Sequence, residues 1–178
     1  MKFKKSPFFP IVSLFVICLV TSLLVAGAYA LTKDLIAENE LKTLAESRKA
    51  VLEADEYKDA AIEGVAGECA EAVKGGKVIG YVFKESAKGY GGDVVVMVGI
   101  DTEGAITGVK IVSHSETPGL GAAFNDEQYL SKFVGGTMPF AKGVVRRTGA
   151  SITSWAVSQA VNKAFDDYRI VIKGADNK

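Results

Sequence analysis

The feature that most limits what this chain can become is the stretch from Phe8 to Leu31. It contains no charged side chain and, between Ile11 and Ala30, is dominated by Ile, Val, Leu, Phe and Ala. Such a run matches the ~20 apolar residues that a helix needs to cross a hydrocarbon core about 30 Å thick. Lys2, Lys4 and Lys5 precede it, whereas Lys33 and Asp34 nearly cancel behind it. The positive-inside bias therefore predicts a cytoplasmic N-terminus at 1–7, one transmembrane helix at 8–31, and everything later on the extracytoplasmic side. The chief rival is a cleaved signal peptide, for which Ala28-Tyr29-Ala30 would serve as the small-residue cleavage site. The run is longer than the ~7–15 apolar residues of a signal peptide, which favours a retained anchor.

All 21 acidic residues lie beyond Leu31, as do all but three of the 21 basic ones, so the exported part is slightly acidic. A chain of that balance lacks the basic footprint of a nucleic-acid binder. Cys18 falls within the apolar run and Cys69 stands alone after it, so the exported part has neither an internal disulfide framework nor a metal-ligand signature. Its stability must come from a packed core.

From Thr32 to about Ala54 the chain is rich in Ala, Leu, Glu and Lys, without Gly or Pro, and is expected to continue outward as a helical stalk over 32–58. Leu41, Leu44, Arg48, Val51 and Leu52 form a narrow stripe on one side of it, enough to lie against a partner or the domain. The segment 59–178 reads as one domain. Val65–Val73 is a weak strand candidate, and Gly75-Gly76 marks a turn. Lys77–Phe83, Val94–Ile100 and Ala105–Val112 read as strands, the second apolar on both faces and hence interior. Short turns between them, including Asp101-Thr102-Glu103-Gly104, predict an antiparallel meander. A short helix is expected around Asp126–Phe133, and a final one over Ile152–Tyr168 whose apolar face includes Trp155, Val157, Ala160, Val161, Ala164 and Phe165. Strands in a run with helices beside them predict an α+β fold.

Two segments gather small and hydroxyl residues where a packed core does not need them: Ser113–Gly121 and Thr148–Ser154. In the second, Gly149 and Ala150 let a bulky ligand approach the backbone, and Ser151 immediately precedes the last helix. A phosphate held there faces the unpaired amides and positive dipole end of that helix, and Thr153 and Ser154 can add hydroxyl donors. By pattern alone Ser151 reads first as an N-cap residue, since Ser is a preferred cap. Nothing marks it as a catalytic nucleophile, because no base stands beside it in the sequence. His114, the single histidine, reads as a structural hydrogen-bonding residue.

The stretch GYGGDVVVMVGIDTEGAITGVKIVSHSETPGLGA, followed by TGASITS and a final helix, resembles the G subunit of the Rnf ion-translocating electron-transport complex. It is similar, more distantly, to the C subunit of the sodium-translocating NADH:quinone reductase. The resemblance implies an FMN-binding domain with a mainly antiparallel sheet flanked by helices. It also implies an FMN joined through its phosphate to a Thr or Ser hydroxyl by a separate flavin transferase, with FAD as donor. The family's acceptor motif, Ser/Thr-Gly-Ala followed by the esterified Thr or Ser, is met by Thr148-Gly149-Ala150-Ser151 and puts the flavin on Ser151. The chain departs from the family in having Val145 where an Asp usually stands, and Ser in place of the commoner Thr. The segment with Glu116, Thr117, Gly119 and Leu120 is expected to lie against the flavin, with Glu116 and Thr117 its polar contacts.

The implied role is that of an electron-carrying subunit in the cytoplasmic membrane, without a complete active site or metal of its own. Its partners would be other membrane subunits of a complex that couples electron flow between ferredoxin and NAD⁺ to Na⁺ or H⁺ movement. The alternatives are a quinone-reductase subunit, a free-standing flavin carrier, and, in another class, a pilin-like structural protein. Against the last, no Gly precedes the apolar run as a processing peptidase would need, and no acid lies within it.

Overall fold

A computed structural model of the chain describes residues 8–62, 64–117, 126–137, 140 and 150–176. The chain divides into two compact units, residues 1–42 and 43–178. From Phe9 onward the first unit is helical and belongs to α1, which runs from Phe9 to Val51. An 18-residue window of α1 has a mean hydropathy of 2.6 and buries nothing within the chain, so by length and composition α1 can cross a bilayer. Among the described residues it is the one helix with that property. The hydroxyls of Thr21 and Thr32 turn back onto the carbonyls of Ile17 and Ala28, at 2.9 and 3.0 Å, so neither presents an unpaired donor outward.

The second unit is built on a five-stranded antiparallel meander in the order β1-β2-β3-β4-β5. The strands are β1 Glu56–Ala60, β2 Glu68–Lys74, β3 Lys77–Lys88, β4 Asp93–Asp101 and β5 Ile106–Ser113. The short helix α2 spans Glu127–Leu130, capped by the Asp126 carboxylate on the Gln128 amide, and passes into a 3₁₀ turn at Ser131–Phe133. The long helix α3 spans Ser151–Asp176.

The sheet buries both faces. Cys69, Phe83, Val98 and Val109 lie in one row across β2 to β5, and with Val94, Val96 and Ile100 they pack against Ala156, Val157, Ala160, Val161, Ala164 and Phe165 of α3. The opposite face holds a smaller core in which Val51, Leu52 and Ala54 meet Ala72, Val82 and Met97. The alternation of these residues along the strands is the period-2 pattern of a sheet, and their burial is the main force holding the unit together.

The second core depends on a close approach. A side chain at Gly99 or Gly108 would collide with the Val51 backbone, with the nearest Val51 atoms at 2.5 and 2.7 Å. The Val51 carbonyl left over at the end of α1 accepts the Thr107 hydroxyl at 2.6 Å, which satisfies one of the helix's terminal acceptors. This contact ends α1 at Val51, short of the expected end near Ala54. Residues 56–58, expected as the end of the stalk, instead join 59–60 in a short edge strand that pairs with β2. Tyr57 supports the turn by donating its hydroxyl to the Leu52 carbonyl at 2.5 Å. Of the expected stripe, Leu44, Val51 and Leu52 pack inward, Arg48 pairs with Asp59, and Leu41 is exposed.

Helix α3 also outruns the expected end at Tyr168. Val171 is buried and Ile172 packs beside it, so contact with the sheet outweighs the modest helix propensity of the β-branched run Ile170-Val171-Ile172. The outer edge of β5 is not bare. Ile106 exchanges backbone hydrogen bonds with Gly135 and Gly136, at 2.8 and 2.9 Å, which blunts one end of the sheet against edge-to-edge pairing.

Candidate functional site

The candidate site forms where three segments distant in sequence meet: the Gly89–Gly92 loop between β3 and β4, the strand exit His114–Thr117, and the first turn of α3. The first i→i−4 bond of α3 runs from the Ser154 amide to the Ala150 carbonyl at 3.1 Å. Ala150 thus occupies the capping position and Ser151 is the first helical residue, so the N-cap role open to Ser151 falls to Ala150. Ser151 is exposed and Ala150 half-buried against the main core. The amides of this first turn lie at the positive end of a 26-residue helix.

The other hydroxyls of the motif are engaged differently. Thr153 is buried and donates to Glu116 Oε2 at 2.8 Å. Ser154, also buried, donates to the Ser151 carbonyl at 3.0 Å. Each hydroxyl has a single hydrogen, so in this arrangement neither is a spare donor for a phosphate. Ser151 is the exposed hydroxyl among the three described. Thr148, Gly149, Gly119 and Leu120, together with Val145, lie outside the described residues.

Glu116 is the hub of the site. Its side chain is buried, with 6% exposure. Oε1 accepts the Tyr90 and Gly91 amides at 2.8 and 3.2 Å, while Oε2 takes the Thr153 hydroxyl. The Glu116 amide donates to His114 Nδ1 at 3.3 Å, consistent with a structural hydrogen-bonding role for His114. Thr117, next along, is exposed.

The glycines of the loop make this packing possible. A Cβ at Gly89 would run into Glu116 Oε1, and one at Gly91 into the Ser115 carbonyl. Within the same loop the Gly89 amide closes a turn onto the Gly92 carbonyl at 2.8 Å, and Tyr90 is left 76% exposed. The sequence shows Gly89-Tyr90-Gly91-Gly92 only as a break between strands. Its crowding of glycines around one aromatic was the available signal for close backbone approach.

A buried acidic pair, which no sequence motif marks, lies between sheet and helix. Glu85 of β3 and Asp167 of α3 are each 4% exposed. Asp167 accepts the Ala66 and Gly67 amides at 3.1 and 3.2 Å, and burial, followed by the hydrogen bond and charge of Asp167, pushes the Glu85 carboxyl up to about 8. Tyr81, Phe83, Glu85 and Ala87 alternate onto one face, so strand periodicity alone places an acid in the core. Separate from both clusters, an open groove lined by Leu44, Arg48, Asp59, Ile62, Val65 and Cys69 contains none of the residues around Ser151. Among the described residues no cluster of His, Cys, Asp and Glu is arranged to hold a metal ion.

Comparison with known proteins accords with this geometry. Residues 89–166 match the FMN-binding domain family, a span that includes the glycine loop, Glu116 and the start of α3. Residues 12–51 match the RnfG N-terminal region, which coincides with most of α1. The chain is 30% identical over 164 residues to the G subunit of the proton-translocating ferredoxin:NAD(+) oxidoreductase complex of Clostridium ljungdahlii, covering 86% of this chain and 87% of that one. It is 31% identical over 173 residues to the G subunit of the ion-translocating oxidoreductase complex of Aliivibrio fischeri, with 82% of each chain covered. In fold it is similar to the crystal structure of NqrC from Shewanella oneidensis, at a TM-score of 0.51 and 20% identity over 72% of this chain and 74% of that one. With an apolar helix leading into an antiparallel FMN-binding fold, and relatives matched along most of their length, the chain belongs to the family of G subunits of ion-translocating oxidoreductase complexes.

Proposed function

We propose that the chain is the FMN-carrying, electron-transferring subunit of an Rnf-type complex, with the flavin joined through its phosphate to Ser151 Oγ. The observation that carries the attachment site is the contrast among neighbouring hydroxyls. Ser151 stands exposed at the N-terminus of α3, whereas Thr153 and Ser154 are buried. An anion at Ser151 gains the favourable end of the helix dipole. The residues suit a flavin: small Ala150 precedes the acceptor, and Ile152 beside it is 52% exposed, offering apolar surface to a ring system.

When bound, the flavin supplies the electron-carrying chemistry, and the protein orients it, shields it and sets its surroundings. Ser151 would tether the phosphate, so that the group is not lost to the large extracytoplasmic volume. Thr117, exposed beside buried Glu116, is a polar side chain of that loop able to reach the cofactor. Formation of the ester needs a flavin transferase with FAD as donor: the Ser151 oxygen replaces the adenylate on the flavin's phosphorus, AMP leaves, and the hydroxyl proton passes to a base. With residues 1–7 in the cytoplasm, α1 spans the membrane once and the FMN domain lies outside, where other subunits of the complex exchange electrons with it. The names of the relatives favour ferredoxin and NAD⁺ as the terminal couple over a quinone, since the likeness to NqrC extends to the fold alone.

Peptide mass spectrometry of the chain matured with its transferase tests the attachment. An FMN-sized adduct is expected on the peptide containing Ser151, and Ser151→Ala should abolish fluorescence on a denaturing gel. Ser151→Thr should preserve labelling, because it keeps the hydroxyl. An adduct mapped to Thr148 or Thr153 would overturn the assignment.

A further inference from the structure

We propose that Glu116 is a positioning residue for the flavin-bearing turn: its carboxylate locks the Gly89–Gly92 loop to the first turn of α3 and does not itself touch the flavin. The inference rests on attachment at Ser151. It departs from the expectation that Glu116 faces the cofactor.

Geometry and hydrogen-bond capacity both point this way. The Glu116 side chain is nearly excluded from solvent, and both of its oxygens point into protein. Oε1 is shared by two backbone amides, of Tyr90 and Gly91, and Oε2 receives the Thr153 hydroxyl. A buried carboxylate keeps its charge at low cost only when its lone pairs are met in this way. Three bonds to one carboxylate also join three otherwise separate segments, because Glu116 is 26 residues from Tyr90 and 37 from Thr153 in the chain. Loops held at such separations are otherwise mobile.

Two consequences bear on the cofactor. Thr153 is two residues beyond Ser151 on the same helical turn, so fixing its side chain fixes the direction in which the acceptor hydroxyl leaves the helix. Tyr90 has its backbone held while its ring remains exposed, which places an aromatic on a rigid support beside the acceptor turn. The glycines enforce the arrangement, since a side chain at Gly89 or Gly91 would push the loop off Glu116 or Ser115.

The test uses the full chain, coexpressed with the transferase and purified in detergent. The variants are Glu116→Ala, Glu116→Gln, Thr153→Val and Thr153→Ser, with Ser151→Ala as control. The readouts are the covalent flavin-to-protein ratio at a fixed time, the fluorescence anisotropy of the attached flavin, and its absorption maximum. Glu116→Ala and Thr153→Val should each lower the rate of labelling about tenfold or more, as loss of hydrogen bonds to a charged group implies, and should lower the anisotropy of whatever flavin is attached. Thr153→Ser keeps the donor and should restore both. Glu116→Gln can still accept from the loop amides and donate to Thr153, so it should fall between, with an unchanged absorption maximum. If Glu116→Ala does not fold, Thr153→Val against Thr153→Ser decides the matter. Wild-type labelling and anisotropy in Thr153→Val would overturn the inference. So would a shifted absorption maximum in Glu116→Gln with Thr153→Val unaffected, which would put Glu116 in contact with the ring. Flavin retained by Ser151→Ala would refute the attachment site instead, and is read independently of the other variants.

Discussion

Replacing Glu85 with glutamine should remove a pH dependence built into the core. Glu85 is buried against α3, one of its oxygens has no hydrogen-bond partner, and its other neighbours are the Asp167 carboxylate and, more weakly opposing, the Lys163 ammonium of the same helix. Burial first, and Asp167 second, hold the Glu85 carboxyl at about 8 rather than 4.5. The folded state therefore keeps a proton that the unfolded chain releases. Stability from this group is fully present below pH 4.5, declines as pH rises, and is exhausted above about 8. Within that window the slope is up to about 1.4 kcal/mol per pH unit, so between pH 5 and 7 the loss is roughly 2–3 kcal/mol. Glutamine is uncharged throughout and its amide can donate to Asp167. The difference in unfolding free energy, Glu85→Gln minus wild type, should thus grow by that amount from pH 5 to 7. In thermal melts of the detergent-solubilised chain this corresponds to a change in relative Tm of about 5–10 °C. Comparing the two proteins at each pH cancels the titration of every other group. Parallel curves across pH 5–8 would show that Glu85 ionises normally in the fold and would refute the reasoning.

Five further outcomes follow from other parts of the molecule. Gly99→Ala should destabilise the second unit by about 1–3 kcal/mol in urea unfolding, the usual cost of overpacking, because the new methyl meets the Val51 backbone; Thr107→Val, which strands the Val51 carbonyl, should cost about 1–3 kcal/mol by the same assay. Cys69 is buried and its thiol is pushed up to about 12, chiefly by desolvation, so it should resist maleimide at pH 8 until the protein is denatured. Protease added to right-side-out vesicles should digest the FMN domain and leave a protected fragment near the N-terminus; protection of the whole domain would refute the orientation. Thr117→Ala should shift the spectrum or potential of the attached flavin while leaving it attached, and identical values in the variant would make that threonine a bystander.

Much of the architecture follows from periodicity visible along the chain. The absence of charge between Phe8 and Leu31 determines a long apolar helix, because no other local structure satisfies its own backbone over such a length in an apolar medium. β3, β4 and β5 are marked by runs of β-branched residues separated by short turns, and α3 by apolar positions at helical spacing. The stretch Thr148-Gly149-Ala150-Ser151, too, is contiguous, so Ser151 stands out as a candidate from the sequence alone. What the tertiary structure alone decided is which groups meet. β1, with the polar sequence Glu56-Tyr57-Lys58-Asp59-Ala60, has no apolar alternation of its own and exists because β2 offers it a ladder. α1 stops where Gly99 and Gly108 admit its last turn against the sheet. Glu116 bonds to partners 26 and 37 residues away, and Asp167 finds the Ala66 amide across 101 residues. Local pattern reports how deeply a residue is buried and on which face. It carries no information about the chain segment brought opposite, which is set by the order in which the strands and helices pack.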